Sequence, residues 1–423
     1  MIDPVLLKNE EGLALLKKSL ARRGEKESIF LEIIELNKKR RELMISSENL
    51  QNQRNSLSKE IGQLQSASRD SDKNKIEPIK ENVRVIGDTL KQQKEDLAKI
   101  DADFENIMHL VPNILAEDVP DGKSEEDNKM VSESGPRPEF SFDVKPHYEI
   151  AENLDLVDFK RGVKLSGSRF YVYNEEISKL ERKLTDFLLT THEKKGYKER
   201  TVPYLVANTA MFGTGQFPKF EGEYYRMDAD GLNLIPTAEV PLTNLFSDEI
   251  FSEDQLPVYL MSSTPCFRRE AGSAGKDTRG LIRVHQFQKV ELVKFVSPES
   301  SSEELEKLTG DVEDILKKFN LCYRKVLLCS MDTSFSSAKT YDLEVWLPGL
   351  QRWMEISSCS NFRDFQARRA KIRYKNTSRA KNELVHTLNG SGVALGRLIA
   401  ALLEYYQTAD GHIDWQKIYS LMK

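Results

Sequence analysis

This chain of 423 residues has four cysteines and six histidines, and none of them falls in a metal-binding spacing. Cys266, Cys322, Cys329 and Cys359 form no Cys-x-x-Cys pair, and no His-Glu-x-x-His is present. Zinc is therefore not expected, and the thiols read as free groups in a reducing compartment. No apolar run approaches the roughly 20 residues that a membrane span needs. Met1 to Glu11 carries acids early, unlike a secretory signal or an Arg-rich transit peptide. Gly-x-Gly-x-x-Gly and Gly-x-x-x-x-Gly-Lys-[Ser/Thr] are both missing, so neither a Rossmann nor a P-loop nucleotide fold is indicated. Charge of one sign is missing too. With 62 basic and 67 acidic residues the net charge is −5, which excludes a generally basic nucleic-acid coat but permits local basic patches. What remains is a cytoplasmic protein long enough for two or three domains.

Two heptad series occupy the N-terminal quarter. Ile29, Ile33, Leu36, Leu43, Leu50, Leu57, Ile61 and Leu64 form the first, with Arg40, Ser47 and Arg54 filling its gaps. Ile76, Ile79, Val83, Ile86, Leu90, Leu97, Ile100, Phe104 and Ile107 form the second, with one slot at Gln93 or Lys94. Each is an apolar seam at coiled-coil spacing. Gln65 to Lys75 between them has no seam and reads as a turn. Two helices of about 40 residues, folded back as an antiparallel pair, give an arm about 60 Å long over residues 27–107. Pro78 falls near the start of the second helix, where proline is tolerated. On heptads alone a dimerisation coiled coil is the commoner use. A hairpin, however, satisfies its own seam, and Lys38-Lys39-Arg40-Arg41 is a cationic block suited to phosphates.

Breaker-rich chemistry follows. His109-Leu-Val-Pro-Asn113, Val119-Pro120-Asp121-Gly122 and Gly135-Pro136-Arg137-Pro138 mark a linker over 111–140. The chain therefore divides into an N-terminal domain (1–110), the linker, and a body (141–423). In the body, Ile177, Leu180, Leu184 and Leu188 share one face of a helix over Glu175 to Lys195, and Arg200 to Val206 reads as a strand. The fold class is α+β, a mostly antiparallel sheet flanked by helices.

The chemistry concentrates in Phe267-Arg268-Arg269-Glu270, a glycine-rich stretch with Gly272, Gly275 and Gly280, and Arg283 to Glu291. This reads as strand, loop, strand. Period two places Arg268 with Glu270 on one face, and Arg283, His285, Phe287, Lys289 and Glu291 on another. Such a wall suits a flat anionic ligand: Arg grips phosphate bidentately, an aromatic stacks on a base, and a carboxylate accepts from an amine.

This wall resembles motif 2 of class II aminoacyl-tRNA synthetases. Asn389-Gly-Ser-Gly-Val-Ala-Leu-Gly-Arg-Leu-Ile-Ala400 resembles motif 3. The long helix with Pro203 resembles motif 1, which in that class builds a dimer interface. Thr237-Ala238-Glu239 resembles the Thr-x-Glu element of seryl-tRNA synthetases, and the arm resembles the one with which that family grips the long variable arm of its tRNA. The resemblance covers essentially the whole chain and implies a homodimeric, bacterial-like member. It implies activation of L-serine with ATP to seryl-adenylate, then transfer to the 3′ end of tRNA-Ser, with tRNA-Sec as a second candidate acceptor.

By match to the family, Arg268 bridges the α-phosphate and the serine carboxylate. Glu270 accepts from the adenine amine and Phe287 stacks on adenine. Arg283 helps hold the triphosphate, with Arg269 and Val284 beside it. Arg397 meets the γ-phosphate. It is the lone charge in an apolar helix, so its other reading is a buried structural ion pair. Glu355 and Ser358, flanking Ile356 and Ser357, match the Mg2+ positions. A spacing of three does not put both on one face of a regular strand, so a bulge or a strand end is expected there. Thr237 and Glu239 are expected to be cofacial on a strand and to meet the serine ammonium, with Ala238 between them. Glu291 and Ser391 match positions that meet serine. Relatives that load carrier proteins lack the arm, and a catalytically dead homologue would have lost motif residues.

Overall fold

A computed structural model describes residues 1–66, 73–270 and 279–423, without the side chains of 73–75. The chain divides into two compact units, Asp3–Val111 and Pro112–Lys423, the latter including Met1–Ile2. Among the described residues no helix is long and apolar enough to cross a membrane.

In the first unit, α1 (Glu10–Arg22) precedes the long helices α2 (Glu27–Ser66) and α3 (Lys73–His109). Asn9 caps α1, its side chain accepting from the Gly12 N–H at 2.8 Å. The turn expected over 65–75 falls largely on 67–72, outside the described residues. Helix α3 is described from Lys73, so Pro78 lies inside it rather than in its first turn. The hairpin register follows from two polar contacts: Arg40 Nε donates to Asp101 Oδ1 at 2.5 Å, and Ser47 Oγ to Gln93 Oε1 at 2.7 Å. The seam gap therefore falls at Gln93, opposite the gap at Ser47, while Lys94 is exposed. At this register Leu43 falls opposite Leu97 and Leu50 opposite Leu90. The cationic block is partly neutralised within the arm: Lys39 pairs with Glu35 at 2.6 Å, Lys38 with Glu42 at 3.9 Å, and Arg40 with Asp101.

The second unit is built on eight strands. They are β1 (Lys129–Ser134), β2 (Lys198–Glu199), β3 (Val258–Phe267), β4 (Gln286–Val296), β5 (Tyr323–Leu327), β6 (Lys339–Leu347), β7 (Arg352–Arg363) and β8 (His386–Ala394). Their order across the sheet is β1-β5-β6-β7-β8-β4-β3-β2, antiparallel throughout except for the parallel pair β2–β3. The segment expected as linker thus supplies an edge strand. Of the strand expected over 200–206 only Leu205 and Val206 lie in one, the short piece Leu205–Ala207; β2 ends before that range, and Pro203, which has no N–H to give a ladder, lies between the two.

Helices α4 (Glu175–Glu193), α5 (Asn208–Thr214), α6 (Glu239–Asn244), α7 (Ser301–Lys318), α8 (Phe365–Ala370) and α9 (Leu395–Tyr405) complete the scaffold. Ile177, Leu180, Leu184 and Leu188 of α4 are fully buried, with Leu308, Val312 and Ile315 of α7 and most of α9. They pack with Val290 and Leu292 of β4 and Ile356 of β7, so one sheet face is sealed by helices. Each such side chain contributes about 1.5–3 kcal/mol on burial. By the period of two, residues between these positions face the other way, into a cleft.

Candidate active site

The cleft encloses about 610 Å³ on the open face of the central strands. A narrower crevice continues from it, lined by Ile282, Val284, Phe287, Ile356, Gly396 and Arg397 among others. Arg268, Glu270, Arg283, Lys289, Glu355 and Ser391 line both.

The motif 2 wall assembles, but by turns as much as by strands. β3 ends at Phe267, and Arg268 and Glu270 lie beyond it, Glu270 with a left-handed φ of 51°. β4 begins at Gln286, so Arg283 and Val284 sit on a turn and the shared strand face expected for residues 283–291 holds only from Phe287 on. His285 leaves the wall: its Nδ1 lies 2.9 Å from the Arg268 carbonyl and its ring stacks on Phe170. Gly272 and Gly275 lie outside the described residues. The Arg268 guanidinium lies 5.3 Å from the centre of the Phe287 ring, and its Nε donates to the Pro236 carbonyl at 3.3 Å. Arg283 pairs with Glu270 at 3.2 Å. Arg269 is exposed away from the cleft, donating to the Gly222 carbonyl at 3.2 Å.

Two bulges aim the remaining side chains. Between β6 and β7 the register shifts so that Glu344 faces Glu355 but Leu343 faces Ser357, leaving Ile356 extra. The bulge expected from the spacing of Glu355 and Ser358 is therefore present, and both line the cleft. Ser357 turns inward and donates to the Ser391 carbonyl at 2.6 Å. The second bulge has no counterpart in the sequence reading. Val290 faces Val393 but Glu291 faces Ser391, and Val393 takes a φ of 129°, strained for a β-branched residue. It keeps Asn389 and Ser391 on the cleft while Val393 returns to the core.

Thr237 and Glu239 are not on a strand. Thr237 lies in the turn before α6 and Glu239 is its first residue, with the Glu239 N–H donating to Thr237 Oγ1 at 3.2 Å. Pro236 and the short helix turn both side chains into the cleft, and Ala238 packs behind them. The Thr237 hydroxyl donates to Glu291 Oε2 at 2.8 Å and accepts from Lys289 Nζ at 3.1 Å. Lys289 also pairs with Glu291, and both are buried. Asn389 Nδ2 bridges the two carboxylates, 3.0 Å from Glu239 and 3.2 Å from Glu291. Gln366 of α8 donates to Glu239 Oε1 at 2.6 Å and is itself held by the Thr387 hydroxyl. Burial, and then the neighbouring Glu291, push the Glu239 carboxyl up to about 7. Lys289 and Asn389 lay in quoted motifs without an assigned role. Gln366 carried no local signal, because α8 meets α6 only in three dimensions.

Arg397 is an ion-paired residue at the rim of the crevice rather than one sealed in the core. Its guanidinium meets Glu355 Oε2 at 3.1 Å and the Glu355 carbonyl at 2.7 Å. Enclosure by the cleft works to raise the Glu355 carboxyl, but the Arg397 charge outweighs it and holds that group below its usual range. Asp342 lies opposite Ser358 on β6, and its Oδ1 is buried without a hydrogen-bond partner among the described residues.

Residues 220–406 match the family of the tRNA synthetase class II core domain (G, H, P, S and T), and residues 1–115 match the seryl-tRNA synthetase N-terminal domain. The chain is 52% identical over 412 residues to a serine–tRNA ligase of Leptospira biflexa, covering 97% of this chain and 96% of that one. It belongs to the seryl-tRNA synthetase family. A serine–tRNA ligase of Desulfotalea psychrophila is 47% identical over 95% of both chains. Among solved structures, the seryl-tRNA synthetase from Pyrococcus horikoshii complexed with ATP aligns with a TM-score of 0.93 at 33% identity, covering 100% of this chain and 98% of that one. The cytoplasmic serine–tRNA ligase from Naegleria fowleri in complex with AMP aligns at 0.87 and 26% identity, covering 100% and 97%. The synthetase described here is thus a class II ligase with the expected helical arm and antiparallel core.

Proposed function

We propose that the cleft forms seryl-adenylate and that the same chain then charges tRNA-Ser. The observation that carries this is a pair of adjoining charge imbalances. Glu239 and Glu291 face one cation, Lys289, so that end is short of a positive charge and suits the serine ammonium. Arg268, Arg283 and Arg397 face Glu270 and Glu355, so the other end suits an anion. Arg268 stands between the two, where a serine carboxylate and an α-phosphate would meet.

In the first step a serine carboxylate oxygen attacks the α-phosphorus, and the bond to pyrophosphate breaks. Glu270 and Phe287 hold adenine, Arg283 and Arg397 the outer phosphates, and Arg268 the charge developing at the α-phosphate. The work is positioning and electrostatic stabilisation. In the second step a ribose hydroxyl of the tRNA's terminal adenosine attacks the seryl carbonyl carbon, its proton passes to a phosphate oxygen of the adenylate, and AMP leaves with the electron pair of the C–O bond. Ser391 and Glu291 meet the serine hydroxyl. A site built to bond that hydroxyl rejects alanine, because its own groups would otherwise be left unpaired.

Mg2+ fits beside Glu355 and Ser358. Two carboxylates, Glu355 and the incompletely bonded Asp342, with a hydroxyl, are the hard oxygen donors suited to an ion that keeps waters and substrate phosphates. When bound, Mg2+ would neutralise charge on the phosphates. The arm would grip the variable arm of the tRNA, and the motif 1 region would form a homodimer, a reading supported by Tyr204 and Leu205, each 41% exposed beside Pro203. Localisation in the cytoplasm and charging of tRNA-Sec belong to the same reading. Serine-dependent ATP–pyrophosphate exchange followed by charging of tRNA-Ser tests it. Exchange driven equally by alanine, or exchange without charging, would count against it, and a fully active monomer by sedimentation would count against the dimer.

A further inference from the structure

A buried acid–histidine pair that takes no part in the reaction scheme touches the crevice from behind. His147 opens the short helix His147–Asn153, Glu404 lies near the end of α9, and both side chains are fully buried. A buried carboxylate is costly unless donors replace its water. Four converge on this one. Glu404 Oε1 accepts from the His147 backbone N–H at 3.0 Å and lies 2.9 Å from His147 Nδ1. Oε2 accepts from the N–H groups of Gly349 at 2.7 Å and Leu350 at 3.3 Å, in the turn between β6 and β7.

The other ring nitrogen of His147 faces a residue that lines the crevice. The Leu281 N–H donates to Nε2 at 3.3 Å. An N–H can only donate, so Nε2 is the bare nitrogen, and Nδ1 carries the proton that goes to Glu404. β4 begins only at Gln286, so the Leu281 N–H has no strand ladder to donate into, and a buried N–H needs an acceptor. Gly280 makes the approach possible. It takes a φ of 73°, and a Cβ there would stand 2.3 Å from His147 Nε2.

The two residues after Leu281 belong to the nucleotide end. The Ile282 carbonyl accepts from Arg397 Nε at 3.4 Å, and Arg283 pairs with Glu270. Arg397 and Glu404 are seven residues apart on α9, close to two turns, so they share a face. A closed circuit results. Glu404 holds His147, His147 holds Leu281, and the next carbonyl holds Arg397 on the helix that carries Glu404.

We propose that His147 is a positioning residue for the nucleotide, fixed in its tautomer by Glu404 and acting through the Leu281 N–H on Arg283 and Arg397. This rests on the nucleotide seat under Proposed function and adds what keeps its two outer arginines in place. Small displacements of such groups are expensive in a reaction that depends on positioning.

The test uses the full chain in serine-dependent ATP–pyrophosphate exchange, with each substrate varied in turn. His147→Asn keeps a donor for Glu404 near the place of Nδ1 but leaves nothing to accept from Leu281. His147→Gln carries its carboxamide oxygen out to the place of Nε2. His147→Asn should raise KM for ATP about fivefold, the effect of one net hydrogen bond, with KM for serine within about twofold. His147→Gln should restore most of the ATP affinity. A residue that only fills space or only satisfies Glu404 would give the opposite order or move both substrates. Gly280→Ala attacks the same contact from the other side and should raise KM for ATP at least as much, again sparing serine. Thermal unfolding shows whether each variant is folded in the assay, and if neither His147 variant is, Gly280→Ala decides. An unchanged KM for ATP in the folded variants, His147→Gln no better than His147→Asn, or both substrates weakened in step would overturn the positioning role. Absence of exchange in the wild type would instead overturn the proposed function, and the positioning role with it.

Discussion

Polar side chains interrupt an apolar interior in both the arm and the catalytic unit. In the arm they cancel. Ser47 meets Gln93 and Arg40 meets Asp101, so two of the three interruptions of the first seam are answered from the second helix. In the cleft they do not. Glu239 and Glu291 share Lys289 and Asn389, and burial, with Glu291 beside it, pushes the Glu239 carboxyl up to about 7. A satisfied polar layer fixes register and leaves little for a ligand, whereas an unbalanced one is a site waiting for the missing charge.

The widest separation of the two regions comes from deleting Glu27 to Ile107 with a short linker. The arm packs along its own seam and, at its base, on the N-terminal segment of its own unit through Lys17–Glu27 and Asn37–Leu7, and it contributes no residue to the cleft lining. Charging of tRNA-Ser should fall to background while serine-dependent exchange stays within about threefold, because phosphate contacts supply much of nucleic-acid affinity. Equal loss of both, in a protein shown to be folded by circular dichroism, would mean that the arm supports the active site.

This contrast also explains what could be read from residues alone. The arm was legible because its information is local: seam and gaps repeat every seven residues, and only the choice of Gln93 over Lys94 for the slot needed the register of the hairpin. In the catalytic unit, the residue types at the cleft were legible, and the spacing of Glu355 and Ser358 demanded a bulge or a strand end, of which the structure has the bulge. The placement of Thr237 and Glu239 was not, because a dipeptide step of two reads as a strand when the helix that follows has only six residues. Nor was the bulge at Gly392 and Val393, which depends on the register of β4 against β8. Gln366 needed the packing of α8 against α6. Non-local geometry, rather than chemistry, is what the residues withheld.

Within the cleft, Arg268→Ala should have the largest effect, since it faces both halves. A loss of about 10²–10³ in the rate of adenylate formation is expected, as for removal of one preorganised donor to developing charge. Pre-steady-state pyrophosphate release would measure it, and a loss below tenfold would take Arg268 away from the reacting atoms.

Glu291→Ala and Arg397→Ala should divide the cleft. Charge-assisted hydrogen bonds are worth about 1.5–3 kcal/mol each, so Glu291→Ala should lower kcat/KM for serine roughly ten- to a hundredfold and leave KM for ATP nearly unchanged. Arg397→Ala should weaken ATP far more than serine. Steady-state exchange kinetics with each substrate varied in turn would reveal a shared pattern, and a shared pattern would erase the boundary between the serine and nucleotide ends.

The Glu239 carboxyl makes that boundary pH-dependent. Burial, and then Glu291, raise it to about 7, so below that pH it is mostly protonated and cannot pair with the serine ammonium. Serine affinity should therefore fall about tenfold between pH 8 and pH 6, since one pH unit below the pKa leaves about a tenth of the group ionised. Glu239→Gln should bind serine more weakly at pH 8 and show a flatter profile. A wild-type profile already flat over this range would mean that Glu239 ionises at an ordinary carboxylate pKa.

The smallest effect belongs to the arm and has the opposite sign. Ser47 Oγ donates to Gln93 Oε1, and Gln93 Nε2 donates to the half-exposed Ser46 Oγ at 2.9 Å, but hydrogen bonds there mostly replace ones made to water. Replacing both with leucine removes two polar groups together and fills the gap with the side chain its neighbours Leu43, Leu50, Leu90 and Leu97 already use. The arm should gain about 1 kcal/mol, as buried polar layers often do when exchanged for apolar ones of similar volume. Ser47→Leu alone should lose stability, because Gln93 is then left with a donor or acceptor unmet. Hydrogen-exchange protection around residues 43–50 and 90–97 reads this difference locally. If the double variant is less protected than the wild type, the polar layer stabilises as well as aligns the arm, and the distinction between cancelled and unbalanced polar groups would have to rest on the cleft alone.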